Sequence, residues 1–230
     1  FCLSRGLGDV YKRQIETGAE EILNITECKE INESGYYFLL NDITSGGTCL
    51  TINRSDVTID CQNHSITYAT KTVGYGIYLG NYSNITIKNC IFINGNPQVE
   101  SHGIYSYYSK ANNVKIYNNI FNITADYDGR YSTGAKLYDL NVSFHDNILY
   151  YNWISKTAFW YYSAFSIMGD ENMKLYPQYF SEVYNNRIYF YNYGQGISAL
   201  VQIGTVNFHD NYFEDVLNSY NSCFFSTIGN

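Results

Sequence analysis

The feature that most constrains the fold is a short segment that recurs along the chain. Each strong copy is an Asn or Asp followed by alternating apolar and polar residues, and the copies begin at Asp56, Asn84, Asn113 and Asn141. Weaker copies surround Val183 and Val206. The strong copies are roughly 28 residues apart, a period that indicates stacked structural repeats.

A second, glycine-containing segment alternates with the first, as in 75–78, 102–105, 133–135 and 195–197. Each repeat holds three short runs of alternating residues; in the second repeat they are 77–79, 85–87 and 91–93. Asn and Gly separate the runs, and both residues tolerate the left-handed backbone of a sharp bend. Because a given run recurs only one repeat later, like runs stack as parallel strands. The sequence therefore predicts an all-β parallel β-helix of three sheets and five to six coils.

The repeats also predict which side chains point into the coil. The expected inward column of the middle strand is Ile59, Ile87, Ile116, Phe144, Tyr184 and Phe208. The expected outward column is Asp60, Lys88, Tyr117, His145, Asn185 and His209, beside Thr58, Thr86, Lys115, Ser143, Val183 and Asn207. Asn119, Asn147 and Asn211 follow at one shared position, which predicts a ladder of side-chain amides at a turn.

Residues 48–66, Gly76-Ile77 and 83–90 resemble the right-handed parallel β-helix repeat family. That superfamily includes pectin-lyase-like proteins and NosD-type periplasmic and archaeal surface proteins. The opening Cys28…Gly35-Tyr36-Tyr37…Cys49 is similar to the first-coil cap of the surface forms. The resemblance covers roughly residues 28–225 and implies the fold more than the activity, because this fold hosts lyases, hydrolases, epimerases and adhesins.

The domain organisation follows from where the repeats begin and break. Residues 1–14 resemble a translated sequencing adapter, as on genes from metagenome assemblies, and are expected to be a non-native tail. We expect a capping segment and first coil over 15–52 and the β-helix over 53–230, with an insertion at about 150–180. The native start, any signal peptide and part of the C-terminus are expected to be missing.

Charge and cysteine content limit the classes of partner. A net charge of -7 with scattered basic residues argues against nucleic acid, and no segment is apolar enough to span a membrane. Cys28 and Cys49 are predicted to pair, whereas Cys61 and Cys90 fit stacked thiols as well as a bond, and Cys223 is left over. With eight Asn-x-Ser/Thr triplets, these features favour an extracellular or cell-surface location.

Lys88, Tyr117 and His145 are the candidate catalytic residues. They are expected within about two coils on one outer face, on the order of 10 Å. A cation and a base in that arrangement suit proton abstraction from a uronic-acid sugar. An ordinary solvated face explains the same residues. The catalytic motifs of polygalacturonase-like hydrolases, pectate lyases and mannuronan epimerases are absent from the sequence.

The third strand of each repeat predicts an outward apolar stripe of Phe92, Phe121, Leu149, Tyr189 and Phe213, with Ile91, Ile120, Ile148, Ile188 and Tyr212 inward. A covering loop, a subunit interface or a sugar-stacking platform would explain the stripe. The candidate binding residues are Tyr105, Tyr107, Tyr138, Phe92, Phe121, Tyr189 and Phe213.

The sequence thus favours a non-catalytic structural, adhesive or glycan-binding surface protein. Its expected partners are a polysaccharide or glycan, or neighbouring subunits. The alternative is a polysaccharide lyase or another carbohydrate-active enzyme. We expect no cofactor and no metal site; 126–129 and 170–172 could hold calcium in loops but lack a full ligand set.

Overall fold

The computed structural model describes residues 22–106, 112–126, 132–138, 140–154, 163–168, 180–191, 197–202, 205–216 and 225–228. The predicted tail 1–14, Tyr107, Cys223 and most of the two candidate calcium loops lie outside these ranges. The statements below concern the described residues.

The strands form three sheets, here termed sheet A, sheet B and sheet C. Sheet A contains β1 (Ile22–Ile25), β3 (Gly35–Leu39), β6 (Val57–Asp60), β9 (Ile85–Lys88), β12 (Asn112–Tyr117), β15 (Leu140–His145), β18 (Phe180–Tyr184) and β21 (Thr205–His209). Sheet B contains β2 (Glu30–Ile31), β5 (Leu50–Ile52), β8 (Gly74–Leu79), β11 (Ser101–Ser106), β14 (Ser132–Leu137), β17 (Ser163–Met168), β20 (Ile197–Gln202) and β23 (Phe225–Ile228). Sheet C contains β4 (Ile43–Thr44), β7 (Ser65–Tyr68), β10 (Ile91–Asn94), β13 (Ile120–Ala125), β16 (Ile148–Trp153), β19 (Arg187–Tyr191) and β22 (Tyr212–Asp215).

From β6 onward the chain runs repeatedly from sheet A to sheet C to sheet B, and every strand pair is parallel. The molecule is a right-handed parallel β-helix, as the repeats and the resemblance predicted, and connections between parallel strands are almost always right-handed. Sheets A and B have eight strands each, so the stack is taller than the predicted five to six coils. The extra rungs come from the N-terminal segment and from strand β23, where the repeat is weak in sequence.

The core of sheet A follows the predicted inward column over four coils. Ile59, Ile87, Ile116 and Phe144 are stacked in register and fully buried. In the next coil the prediction was wrong by one residue, because Val183 pairs with Phe144. Tyr184 therefore points outward, between His145 and His209, and Glu182 takes the outward place expected for Val183.

In sheet C the predicted orientation was wrong in four of the five coils and correct only for Ile188, which points inward, and Tyr189, which points outward. Phe92, Phe121 and Leu149 are buried in the core, and Ile188 and Phe213 continue their column. The outward column consists of Ser65, Ile91, Ile120, Ile148, Arg187 and Tyr212. Alternation does not carry across the corner between sheets A and C, because a left-handed residue there redirects the chain.

That corner consists of two residues in five successive coils, Asn89-Cys90 in the first of them. Its first residue is left-handed in each, namely Asn89, Asn118, Asp146, Asn185 and Asp210, with φ between 54° and 56°. Its second residue forms the predicted amide ladder, which contains Asn186 as well as Asn119, Asn147 and Asn211. The Oδ1 atoms of Asn147, Asn186 and Asn211 each accept both the side-chain amide and the backbone N–H of the Asn one coil earlier.

Two disulfides join coils near the N-terminus. The predicted Cys28–Cys49 bond is present. Cys61 and Cys90 are also bonded, with their Cα atoms 4.7 Å apart, which resolves the alternatives left by the sequence. Cys90 occupies the ladder position of its coil, and its backbone N–H donates to Asn119 Oδ1 at 2.9 Å.

Candidate functional site

The three candidate catalytic residues lie in one outward column of sheet A. Lys88 pairs with Tyr117 on the next rung, and Tyr117 pairs with His145 on the rung after. The sequence therefore predicted their common face. Whether they act on a substrate stays a prediction.

Lys88 is held by neighbours on the N-terminal side. Its Nζ lies 3.2 Å from Asp60 Oδ2 and 5.2 Å from the centre of the Tyr36 ring. A hydrogen bond with Tyr36, and then the ion pair with Asp60, raise the pKa of the Lys88 ammonium group. Lys88 is consequently protonated at neutral pH and suits charge stabilisation better than proton abstraction.

Beyond Lys88 the column becomes a stack of parallel rings, here termed the aromatic ladder: Tyr117, His145, Tyr184 and His209. Successive ring centroids are 4.6 to 5.2 Å apart, with interplanar angles of 2° to 6°. Because each ring covers its neighbours, the ladder presents ring edges to the outside. The exposed edges present hydroxyl groups and ring nitrogens. They cannot stack on a sugar, because stacking requires a free ring face.

Each histidine of the aromatic ladder contacts the aspartate that follows it. Nδ1 of His145 is 2.6 Å from Asp146 Oδ2, and Nδ1 of His209 is 2.7 Å from Asp210 Oδ2. Asp146 has a φ of 54°, so it begins the turn, as expected from the sequence, and its side chain can reach back. A carboxylate can only accept a hydrogen bond, so Nδ1 donates and Nε2 carries the lone pair when the ring is neutral.

Beside the aromatic ladder, at the corner between sheets A and C, lies an open depression of about 680 Å³, here termed the corner cleft. Three successive coils contribute to it. Its lining residues are Asp146, Asn147, Ile148, Asn185, Asn186, Arg187, Tyr189, Asp210, Tyr212 and Glu214. The buried amides of Asn147 and Asn186 belong to the amide ladder.

The corner cleft carries more negative than positive charge. Asp146, Asp210 and Glu214 face one cation, Arg187. Within the described ranges, Arg187 forms no ion pair. The Tyr212 hydroxyl donates to Glu214 Oε2 at 3.2 Å, and this hydrogen bond raises the pKa of the Tyr212 phenol. The groups offer both donors and acceptors to a bound molecule.

A tyrosine cluster forms the sheet C wall of the corner cleft. Tyr150 and Tyr189 are stacked at 5.3 Å, and Tyr189 meets Tyr212 edge to face at 6.3 Å. Tyr212 is 53% exposed. An outward row of Ile91, Ile120 and Ile148, half-buried, leads along sheet C to this wall. The tyrosines therefore give this wall apolar surface next to the polar side chains of Arg187 and Glu214.

A second aromatic group lies on sheet B. Tyr105 stacks on Tyr75 at 4.3 Å and is only 8% exposed, so its face is covered. Lys136 Nζ lies 6.0 Å from the centre of the Tyr138 ring, and burial lowers the pKa of its ammonium group. His102, whose ring stacks on Tyr75 and Tyr105, is fully buried.

His102 is held on both nitrogens. Its Nε2 is 3.3 Å from Glu100 Oε1 and its Nδ1 is 3.0 Å from Thr133 Oγ1. The hydrogen bond from His102 keeps the pKa of the Glu100 carboxyl below its usual range. A carboxylate can only accept, so Nε2 donates to Glu100 and the Thr133 hydroxyl donates to Nδ1. Burial lowers the pKa of His102, consistent with this neutral ring.

The structure separates the predicted binding residues. Phe92 and Phe121 are in the core, and Phe213 is packed against it, so these three cannot form a surface platform. Tyr189 lines the corner cleft, whereas Tyr105 is on sheet B and Tyr138 directly follows strand β14 of that sheet. Sequence reasoning missed Arg187, Asp210 and Glu214 as parts of one site. The Asn or Asp that recurs at each corner was a signal for Asp210 alone, since Arg187 and Glu214 lie in strands β19 and β22.

The described part of the chain lacks two further features. It contains no cluster of three or more His, Cys, Asp or Glu side chains suited to a metal ion. It also contains no helix long and apolar enough to cross a membrane.

The fold defines the class of protein, a right-handed parallel β-helix with a polar and aromatic cleft along one corner. Comparisons with protein-family models, with curated proteins and with solved structures each found no match.

Proposed function

We propose that this chain is a secreted or cell-surface β-helix protein that binds glycans in the corner cleft without changing them chemically. The observation that carries the proposal is the composition of the cleft walls. Tyr189 and Tyr212 supply rigid apolar surface, which suits the C–H face of a sugar. Carboxylate and amide groups opposite them, and the guanidinium group beside them, can bind sugar hydroxyls. Such a mixture is typical of ligand sites.

Location and ancestry form part of the same proposal. Two disulfides suit an oxidising compartment outside the cytosol. Eight Asn-x-Ser/Thr triplets point the same way. The resemblance to pectin-lyase-like and NosD-type β-helix proteins supports common ancestry with carbohydrate-associated surface proteins.

Direct binding measurements test the proposal. The chain is applied to a glycan array, and ligands found there are titrated by calorimetry against Tyr189→Ala and Tyr78→Ala. Tyr78 is a half-buried tyrosine on sheet B, outside the cleft, so it is the matched control. We expect binding that Tyr189→Ala abolishes and Tyr78→Ala preserves. Loss with Tyr78→Ala alone would place the site on sheet B, and no binding to any glycan would refute the proposal.

Polysaccharide lyase activity is the second candidate, favoured by one observation. Lys88, Tyr117 and His145 occupy consecutive rungs, and Nε2 of His145 carries a lone pair in the neutral ring. An activity assay distinguishes a glycan-binding protein from an enzyme. The chain is incubated with acidic and neutral polysaccharides, and product is followed by the absorbance of unsaturated sugars and by a reducing-end assay. We expect no turnover. Turnover that His145→Ala removes would favour the enzyme.

A further inference from the structure

The corner cleft repeats itself along the axis of the β-helix. Asp146, Asn185 and Asp210 occupy the same corner position on three successive coils. On the other wall Ile148, Arg187 and Tyr212 are paired in register. A molecule lying along the axis would therefore meet one corner residue and one sheet C residue at equivalent positions on each of three coils, although the residue types differ. A molecule lying across the axis would meet one such pair.

The spacing of these groups suits a sugar polymer. Adjacent parallel strands are about 4.8 Å apart, which is similar to the length that one pyranose ring adds to an extended chain. The amide ladder beneath the cleft keeps this spacing constant, because the Asn147 side-chain amide donates to Asn186 Oδ1 at 3.1 Å and to the Ile116 carbonyl oxygen at 3.0 Å. The repeat of the site and the repeat of a linear polysaccharide thus coincide.

The charges of the cleft select among linear polysaccharides. Asp146 and Asp210 on one wall and Glu214 on the other would repel the carboxylates of a uronic-acid chain, and Arg187 can offset only one of them. Uncharged sugars meet no such repulsion, and their hydroxyl groups can donate to the same carboxylates. The preference is therefore opposite to the acidic substrate considered for the lyase.

We infer that the corner cleft binds a linear, uncharged polysaccharide parallel to the axis of the β-helix, with one sugar unit at each of three coils. This inference rests on the proposed function, since it specifies the ligand of the same site. It adds the number of subsites, the direction of the chain and the exclusion of polyuronates.

Oligosaccharide length series test the inference. The probes are 1,4-linked oligomers of glucose, N-acetylglucosamine, mannose and galacturonic acid, from one to six units, titrated by calorimetry. We expect an uncharged series to gain about tenfold in affinity with each added unit up to three, and little beyond. Equal affinity for monomer and hexamer, or tightest binding of galacturonate, would overturn the inference while leaving glycan binding intact. Failure of every series would overturn the inference, and an array without ligands would refute the proposed function as well.

Variants at one end of the cleft test the subsites. Asp210→Ala with Glu214→Ala removes polar groups of the third coil only, so we expect the trimer to lose affinity while the dimer keeps it. A general structural defect would weaken both equally, which circular dichroism and thermal unfolding would detect. Asp146→Asn, Asp210→Asn and Glu214→Gln together are expected to improve galacturonate binding. Unchanged galacturonate binding would contradict the role given to charge.

Discussion

His145 and Tyr184 lie on adjacent rungs with their ring centroids 4.6 Å apart and their planes 4° from parallel. Tyr184 is covered in the same way on its other face by His209. Two stacked contacts therefore depend on one tyrosine.

Replacing Tyr184 should reveal what stacking contributes. We expect Tyr184→Ala to lower the free energy of unfolding by about 1–3 kcal/mol, since each aromatic pair contributes about 0.5–1.5 kcal/mol. Tyr184→Phe keeps both contacts and should differ from the parent by less than about 0.5 kcal/mol. Urea denaturation of the three proteins is the measurement. Equal stability of the alanine and phenylalanine variants would show that stacking contributes nothing here.

The amide ladder should be sensitive to a single substitution. Asn147→Ala leaves the backbone N–H of Asn119 and the carbonyl of Ile116 without their partner, in a buried position. Each such loss costs about 1–3 kcal/mol. Asn122→Ala, at an exposed position on β13, is the matched control. The measurement is the temperature of thermal unfolding. An equal decrease of that temperature in both variants would contradict a special role for the amide ladder.

Gly103 should not tolerate a side chain. A Cβ atom there would overlap the Gly134 carbonyl oxygen and lie 2.9 Å from the Phe121 ring. We therefore expect Gly103→Ala to destabilise the fold by about 1–3 kcal/mol. At Gly46 an added Cβ would meet nothing closer than 3.5 Å, so Gly46→Ala should have little effect. The comparison is made by urea denaturation, and equal effects at both sites would refute the packing argument.

His102 predicts a loss of stability in mild acid. Burial lowers its pKa from the ordinary value of 6.5, so the unfolded chain takes up a proton at a higher pH than the folded chain does. Stability should therefore be constant above pH 6.5 as far as His102 is concerned, and fall as the pH drops below it. The measurement is the free energy of unfolding from pH 7.5 to pH 5. His102→Gln cannot titrate at this position and should therefore make the free energy of unfolding less dependent on pH. An unchanged pH dependence in this variant would show that other groups cause it.

Most of the fold could be predicted from the sequence because it depends on local, repeated chemistry. The strand segments around Ile85 and Ile91, the amide ladder and the Cys28–Cys49 bond all follow from spacing and residue type. The number of coils was underestimated where copies are weak. The strand segments and the amide ladder could be predicted because the residues that form them recur in each repeat.

The errors arose where the geometry of a corner or a long connection decides the outcome. Phe92 was placed outside because alternation was continued through Asn89, whose left-handed backbone turns the chain. Tyr184 was placed inside because the longer separation from His145 hides the register by one residue. The corner cleft could not be predicted, since it depends on how residues from three coils converge.

The two-residue corner between sheets A and C divides the molecule into regions with different freedom to change. The corner has the same length in five successive coils, whereas the connection from β17 to β18 spans residues 169–179. Insertions into longer connections leave the register of the amide ladder intact, but one extra residue at Asp146 or Asn185 would displace the ladder Asn that follows it and break its hydrogen bonds. Related chains should therefore differ in length mainly at the other two corners. The corner between sheets A and C should keep its two residues even where the other corners lengthen.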